Sequence, residues 1–136
     1  LTAIVYGADG KELGRAAIRS AGEETRLSVL PEQAQISTDE LCYVRLCFTD
    51  LNGTVKPLAR ADVTVRVKGG TLLALGSACP YNERGYLTDT TDTYYGQALA
   101  VIRPNGPGAI TIQAESRLGC GEAQVLCAER GEEEWL

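Results

Sequence analysis

Leu41-Cys42-Tyr43-Val44-Arg45-Leu46-Cys47-Phe48-Thr49-Asp50 is the stretch that decides the fold. Its side chains alternate, with Cys42, Val44, Leu46 and Phe48 on one face and Tyr43, Arg45, Cys47 and Thr49 on the other. A period of two describes a strand with one buried and one solvated face, as in an antiparallel sheet. Asp50-Leu51-Asn52-Gly53 then turns the chain, because Asn-Gly supplies the positive φ that tight turns need.

Similar runs extend in both directions. Upstream, 25–30 reads as a strand broken by Pro31. Downstream, 62–68 sends Val63, Val65 and Val67 inward and Thr64 and Arg66 outward, and Gly69-Gly70 turns the chain into 71–76. Residues 80–92 are polar and read as a long loop. Strands at 94–103, 109–115 and 121–128 follow, the first two separated by Pro104-Asn105-Gly106-Pro107-Gly108. No helical periodicity persists. The pattern predicts an all-β, immunoglobulin-like antiparallel β-sandwich of about seven strands.

Ahead of it, 3–6 and 14–19 flank Ala8-Asp9-Gly10-Lys11, a good turn signal, and predict an N-terminal β-hairpin. A lone hairpin is marginal in water. It therefore docks on the sandwich or closes a preceding domain. The expected division is 1–22 for the hairpin, 23–128 for the sandwich and 129–136 for an acidic tail holding Trp135.

The chain has 136 residues, 44% of them hydrophobic, enough for a core. Leu1 at its head and the lack of methionine imply a segment cut from something longer. Its net charge is −5 and its basic residues are scattered, which argues against nucleic-acid binding. No apolar run approaches the roughly 20 residues that span a bilayer, so no membrane partner is expected. Of the five cysteines, Cys42 and Cys47 project to opposite faces of one strand and cannot pair. Most read as small core hydrophobes, with a Cys42–Cys127 sandwich disulfide as the alternative. Unpaired thiols favour the cytoplasm over secretion.

The absence of histidine removes Ser-His-Asp and Cys-His catalysis and the commonest metal ligand. Gly69-Gly70 lacks the Lys-Ser/Thr of a phosphate loop, and no cofactor or metal is expected. Among carboxylates that might serve a glycosidase, Glu83, Asp89 and Asp92 fall in the polar loop, with Glu115 beyond it. They read as solvated charge, and no catalytic residue is assigned. Asp50-x-Asn52-Gly53 hints at a calcium loop, yet the twelfth position is Ala61, so it reads as a turn. Tyr81, Tyr86, Tyr94 and Tyr95 are the carbohydrate-binding candidates, flanked by Asn82, Asp89 and Asp92. The competing reading has these rings wedge the loop onto the sandwich or a neighbouring domain.

Residues 36–118 resemble the C-terminal immunoglobulin-like domain of bacterial family-two glycoside hydrolases, the β-galactosidase group. The resemblance is carried by Ser37-Thr38-Asp39-Glu40-Leu41-Cys42-Tyr43-Val44, by Thr49-Asp50-Leu51-Asn52-Gly53 with Pro57, and by Leu73-Ala74-Leu75-Gly76-Ser77-Ala78-Cys79-Pro80. Residues 94–103 and 108–114 look like its last strand pair. Tyr6-Gly7-Ala8-Asp9-Gly10-Lys11 resembles the closing strands of the domain before it. Thr38 and Cys79 depart from the family pattern. The resemblance implies a non-catalytic module packed on the other domains of its parent chain, because the family's catalytic glutamates belong to a separate barrel and match nothing here. The rival functions are a carbohydrate-binding module and an immunoglobulin-like spacer of a bacterial surface protein. No internal repeat supports the spacer.

Overall fold

A computed structural model describes residues 1–18 and 20–130. Arg19, the expected end of the hairpin, and most of the acidic tail with Trp135 lie outside the described residues. Eleven strands run in order: β1 Thr2–Tyr6, β2 Glu12–Ala17, β3 Arg26–Pro31, β4 Gln35–Ser37, β5 Cys42–Thr49, β6 Val63–Lys68, β7 Gly70–Gly76, β8 Thr90–Thr91, β9 Gln97–Pro104, β10 Gly108–Ser116 and β11 Gly119–Ala128. They form a β1-β2 hairpin, a four-stranded sheet β3-β5-β9-β7 and a five-stranded sheet β4-β11-β10-β6-β8. This is the expected sandwich, with two short strands added.

The core lies between the larger sheets. Val44, Leu46 and Phe48 of β5, Ala100 and Ile102 of β9 and Leu75 of β7 face Val63 of β6, Ile110 and Ile112 of β10 and Val125 of β11, all fully buried. The inward set of β5 is the one its alternation marks. Its outward set is less uniform: Tyr43 and Arg45 are exposed, but Cys47 and Thr49 are buried. The Thr49 hydroxyl bonds that of Ser28 at 2.7 Å, and its backbone bridges Val55, so the loop after β5 folds back over this end.

Two strands escaped the sequence reading. Residues 80–92 are not loop throughout, because Thr90–Thr91 pairs with Val63 and Thr64 of β6. Gln35–Ser37 pairs in parallel with β11. Strands of two and three residues carry no period to read.

All five cysteines are free thiols. Cys42, Cys47 and Cys127 are core residues, and burial raises each thiol's pKa, with the nearby Cys127 adding to the effect at Cys42. Cys79 is half-buried and Cys120 exposed, so the core reading made for most of the five holds for three.

The linker after the hairpin is tied to the loop after β5. One Asp50 carboxylate oxygen accepts from Gly22 N at 2.9 Å, and the other from Asn52 N at 2.8 Å and Thr54 N at 2.9 Å. The Lys56 ammonium donates to the Glu23 and Glu24 carbonyls and to Thr25 Oγ1. The Asp-x-Asn-Gly segment is thus a turn whose carboxylate is satisfied by backbone N–H groups. Those bonds, led by the one from Gly22, hold the Asp50 carboxyl below its ordinary pKa. A lowered folded-state pKa contributes stability above the ordinary carboxylate value, and the contribution is lost as pH falls through the folded one. Thermal melts should show the wild type losing stability below about pH 4. Asp50→Asn should melt lower at pH 7 and converge with the wild type in acid. A constant gap across that window would contradict this role.

Candidate functional site

The outer face of the four-stranded sheet carries a cleft of about 610 Å³. Strand register sets Leu30, Arg45, Leu99 and Gly76 in one row across it, and Tyr43, Val101 and Ala74 in the next. Leu99, Val101 and Ala74 line the cleft together with Arg45, Gln97 and Glu32. Tyr86, Tyr94 and Tyr95 give it an aromatic wall, and residues 75–78 with Ala98 complete the lining.

Tyr86 stands where it does because position 76 has no side chain. A Cβ on Gly76 would lie 2.2 Å from Tyr86 Cδ1 and 2.5 Å from Cε1, so one edge of the ring abuts the β7 backbone. Leu75 N donates to the Tyr86 carbonyl at 2.8 Å, which fixes the loop along this edge. The Tyr86 residue remains 54% exposed, so the ring retains a free surface.

Tyr94 and Tyr95 are not on a strand, contrary to the expectation for 94–103. Tyr94 N donates to Gln97 O and Gln97 N to Tyr94 O, closing a two-residue turn with φ of 51° at Tyr95 and 76° at Gly96. Positive φ at both central positions is the type I′ geometry, which matches strand twist. The alternating apolar run after the turn hides its start, since tyrosine is a good strand former. The two rings meet edge to face, with centroids 4.6 Å apart.

The four tyrosines do not share one platform. Tyr81 is 87% exposed and lies with Tyr94 and Tyr95 on a second cleft, of about 590 Å³, that also holds Arg60 and Asp92. The polar groups expected beside the rings are committed to the loop. Asn82 donates to the Gly85 carbonyl and accepts from Arg84 N, and Asp89 accepts from the Thr90 hydroxyl. Asp92 accepts from Arg60 at 2.7 Å and from Thr93 N at 2.8 Å. Burial pushes the Asp92 carboxyl up, but the hydrogen bonds from Arg60 and Thr93 N and the charges of Arg60 and Arg84 outweigh it, leaving the pKa lowered. The groups that join the rings are instead Arg45, Gln97 and Glu32. Alternation along β5 already turns Arg45 outward, but only the β5–β9 register sets it beside Leu99.

A second exposed surface is the hairpin. Every residue of β2 is exposed, as is all of β1 except Ile4. Among the described residues β1 and β2 pair only with each other. Val5 and Tyr6 are 58% and 61% exposed, and Leu13 and Ile18 exceed 70%. The linker bonds to Asp50 and Lys56 bring the hairpin's base to the sandwich end where Leu58 is 94% exposed.

Among the described residues no group of three or more His, Cys, Asp or Glu could hold a metal ion, and no helix is long and apolar enough to cross a membrane.

Comparison with known proteins agrees with this architecture. A glycosyl hydrolase family 2 member from Bacteroides cellulosilyticus superposes with a TM-score of 0.83 at 22% identity, over 94% of this chain and 17% of that one. A second family 2 member, from Bacteroides cellulosilyticus DSM 14838, gives 0.81 at 25% identity, over 91% and 18%. A β-glucuronidase from glycoside hydrolase family 2 gives 0.70 at 16% identity, over 90% and 13%. The chain thus spans less than a fifth of the length of each. No curated protein matches it. The family model described as glycoside hydrolase family 2 C-terminal domain 5 matches residues 26–125, from the first residue of β3 into β11, and the chain belongs to that family.

Proposed function

We propose that this chain is a non-catalytic accessory module of a β-galactosidase-like family 2 glycoside hydrolase, and that it packs against the other domains of its parent chain. The observation that carries the reading is the hairpin, a two-stranded sheet with apolar side chains exposed and, among the described residues, no third strand or covering layer. Such a ribbon has too little buried surface to persist alone. Its apolar residues call for a neighbour, and residues 1–22 belong with the domain that precedes the sandwich.

The carboxylates support the non-catalytic part. A glycosidase needs one carboxyl whose pKa is raised to act as an acid. Asp50 and Asp92 are shifted the opposite way. Asp62, Asp39 and Glu12 sit in ion pairs with Arg84, Arg130 and Arg15. The β-galactosidase affinity rests on the sequence resemblance, whereas the structures similar in fold include β-glucuronidases. Hydrogen exchange at the β1–β2 amides tests the docking role: fast exchange in this chain and slow exchange in the parent enzyme support it. Slow exchange in both would contradict it.

A further inference from the structure

We propose that the cleft on the outer face of the four-stranded sheet binds a saccharide, with a pyranose ring stacked on Tyr86 and its hydroxyls held by Arg45, Gln97 and Glu32. This does not rest on the docking role of the hairpin, which involves a different surface.

The first argument is the construction of the Tyr86 platform. The Cδ1–Cε1 edge of its ring abuts the bare backbone at Gly76, closer than any other residue would allow, and half of the residue's surface stays open. Packing a ring for stability alone would cover more of it. A ring held at its edge keeps its faces clear of that backbone, and the axial C–H face of a pyranose is flat and apolar.

The second argument is strain at Tyr95. A bulky residue at positive φ is an outlier, and glycine or asparagine would suit a type I′ turn better. The ring does not recover this cost through burial, because Tyr95 is 62% exposed and its ring contact is with Tyr94. Strain held without a packing return points to a role outside the fold.

The third argument is the polar set. Among the described residues Arg45 forms no ion pair although Glu32 lines the same cleft, and the Gln97 side chain accepts only a weak donation from Cys47 Sγ at 3.9 Å. The cleft therefore offers a donor-only group, an acceptor-only group and an amide around an apolar floor. A purely apolar occupant would leave Arg45 and Glu32 desolvated and unpaired, at a cost. Sugar hydroxyls both donate and accept, so a glycan satisfies all three while its C–H face covers the ring.

The test is an NMR titration of the chain with the methyl β-pyranosides of galactose, glucose and glucuronic acid. Saturable shifts at Arg45, Leu99 and Val101 with at least one of them are expected. Tyr95→Gly, which strips one aromatic ring from the cleft wall, should weaken that binding about tenfold, while its Tm stays at or above the wild-type value because glycine accepts positive φ. Tyr86→Ala should abolish the shifts. Absence of saturable shifts with all three sugars overturns the proposal, as does binding unaffected by either substitution. Protection of the Leu99 and Val101 amides in the sugar-free parent enzyme, beyond that in this chain, also overturns it, since the face would then be a contact between domains.

Discussion

Phe48→Ala should destabilise the chain by about 3–5 kcal/mol, a large part of the roughly 5–15 kcal/mol that holds a domain together. Phe48 is the only phenylalanine and the largest fully buried side chain among the described residues. It sits on β5, the central strand between β3 and β9, opposite Leu27. Its neighbours belong to paired strands on both sides and cannot collapse into the space it leaves. The expected fall in Tm is roughly 10–20 °C. Tyr43→Ala is the control, because Tyr43 lies on the same strand but faces outward at 40% exposure. That change should cost about 1 kcal/mol or less. Comparable losses in thermal or urea melts of the two variants would mean that β5 does not divide core from surface as described.

Gly69→Ala is the second large effect, expected at about 3–4 kcal/mol, and its origin is backbone rather than core. Gly69 carries the chain from β6 in one sheet to β7 in the other. It has φ of 80°, and a Cβ there would lie 2.3 Å from the Ala109 carbonyl oxygen. Two costs therefore add: roughly 1–2 kcal/mol for an L-residue at positive φ, and the displacement of β10 backbone beside the core. Gly53→Ala separates them, since Gly53 has a nearly identical φ of 81° and open space around its missing Cβ. It should show the first cost alone. Equal Tm changes for the two variants would remove the steric part of the explanation.

The sandwich was legible where the chain repeats a simple period. The strands read by alternation at 41–50 and 62–68 match β5 and β6, because a two-residue period fixes which face is buried whatever the neighbours, whereas the one expected from 94 begins only at Gln97. The hairpin was equally plain from Asp9-Gly10. What escaped the sequence depends on partners far along the chain. β4 exists only because β11 lies beside it, and Thr90–Thr91 only because β6 does. Cys47 and Thr49 alternate outward and are nevertheless buried, Thr49 where the loop after β5 returns to bridge it and Cys47 beside the Gln97 side chain.

The candidate site was legible in part. The tyrosines were chosen for their chemistry, and three of the four line one cleft, but Tyr81 belongs to the other. Their expected partners Asn82, Asp89 and Asp92 were chosen by nearness in sequence, and the loop uses all three for its own turns and ion pairs. Arg45 lies some fifty residues from the rings, and cross-strand pairing with Leu99 brings it to the cleft. Register between strands is the information that a single sequence holds least openly.

The central claim is that this family 2 domain is a docking module rather than an independent catalyst, and hydrogen exchange across the hairpin tests it most directly. The amides of β1 and β2 would be followed in this chain and in the parent enzyme, with the Val44 and Ile112 amides as core references. The account predicts exchange within seconds to minutes at the hairpin of the isolated chain, core-like protection of the same amides in the parent, and unchanged sandwich references. Hairpin amides that exchange equally fast in the parent would contradict it, because the exposed apolar ribbon would then have no neighbour to serve.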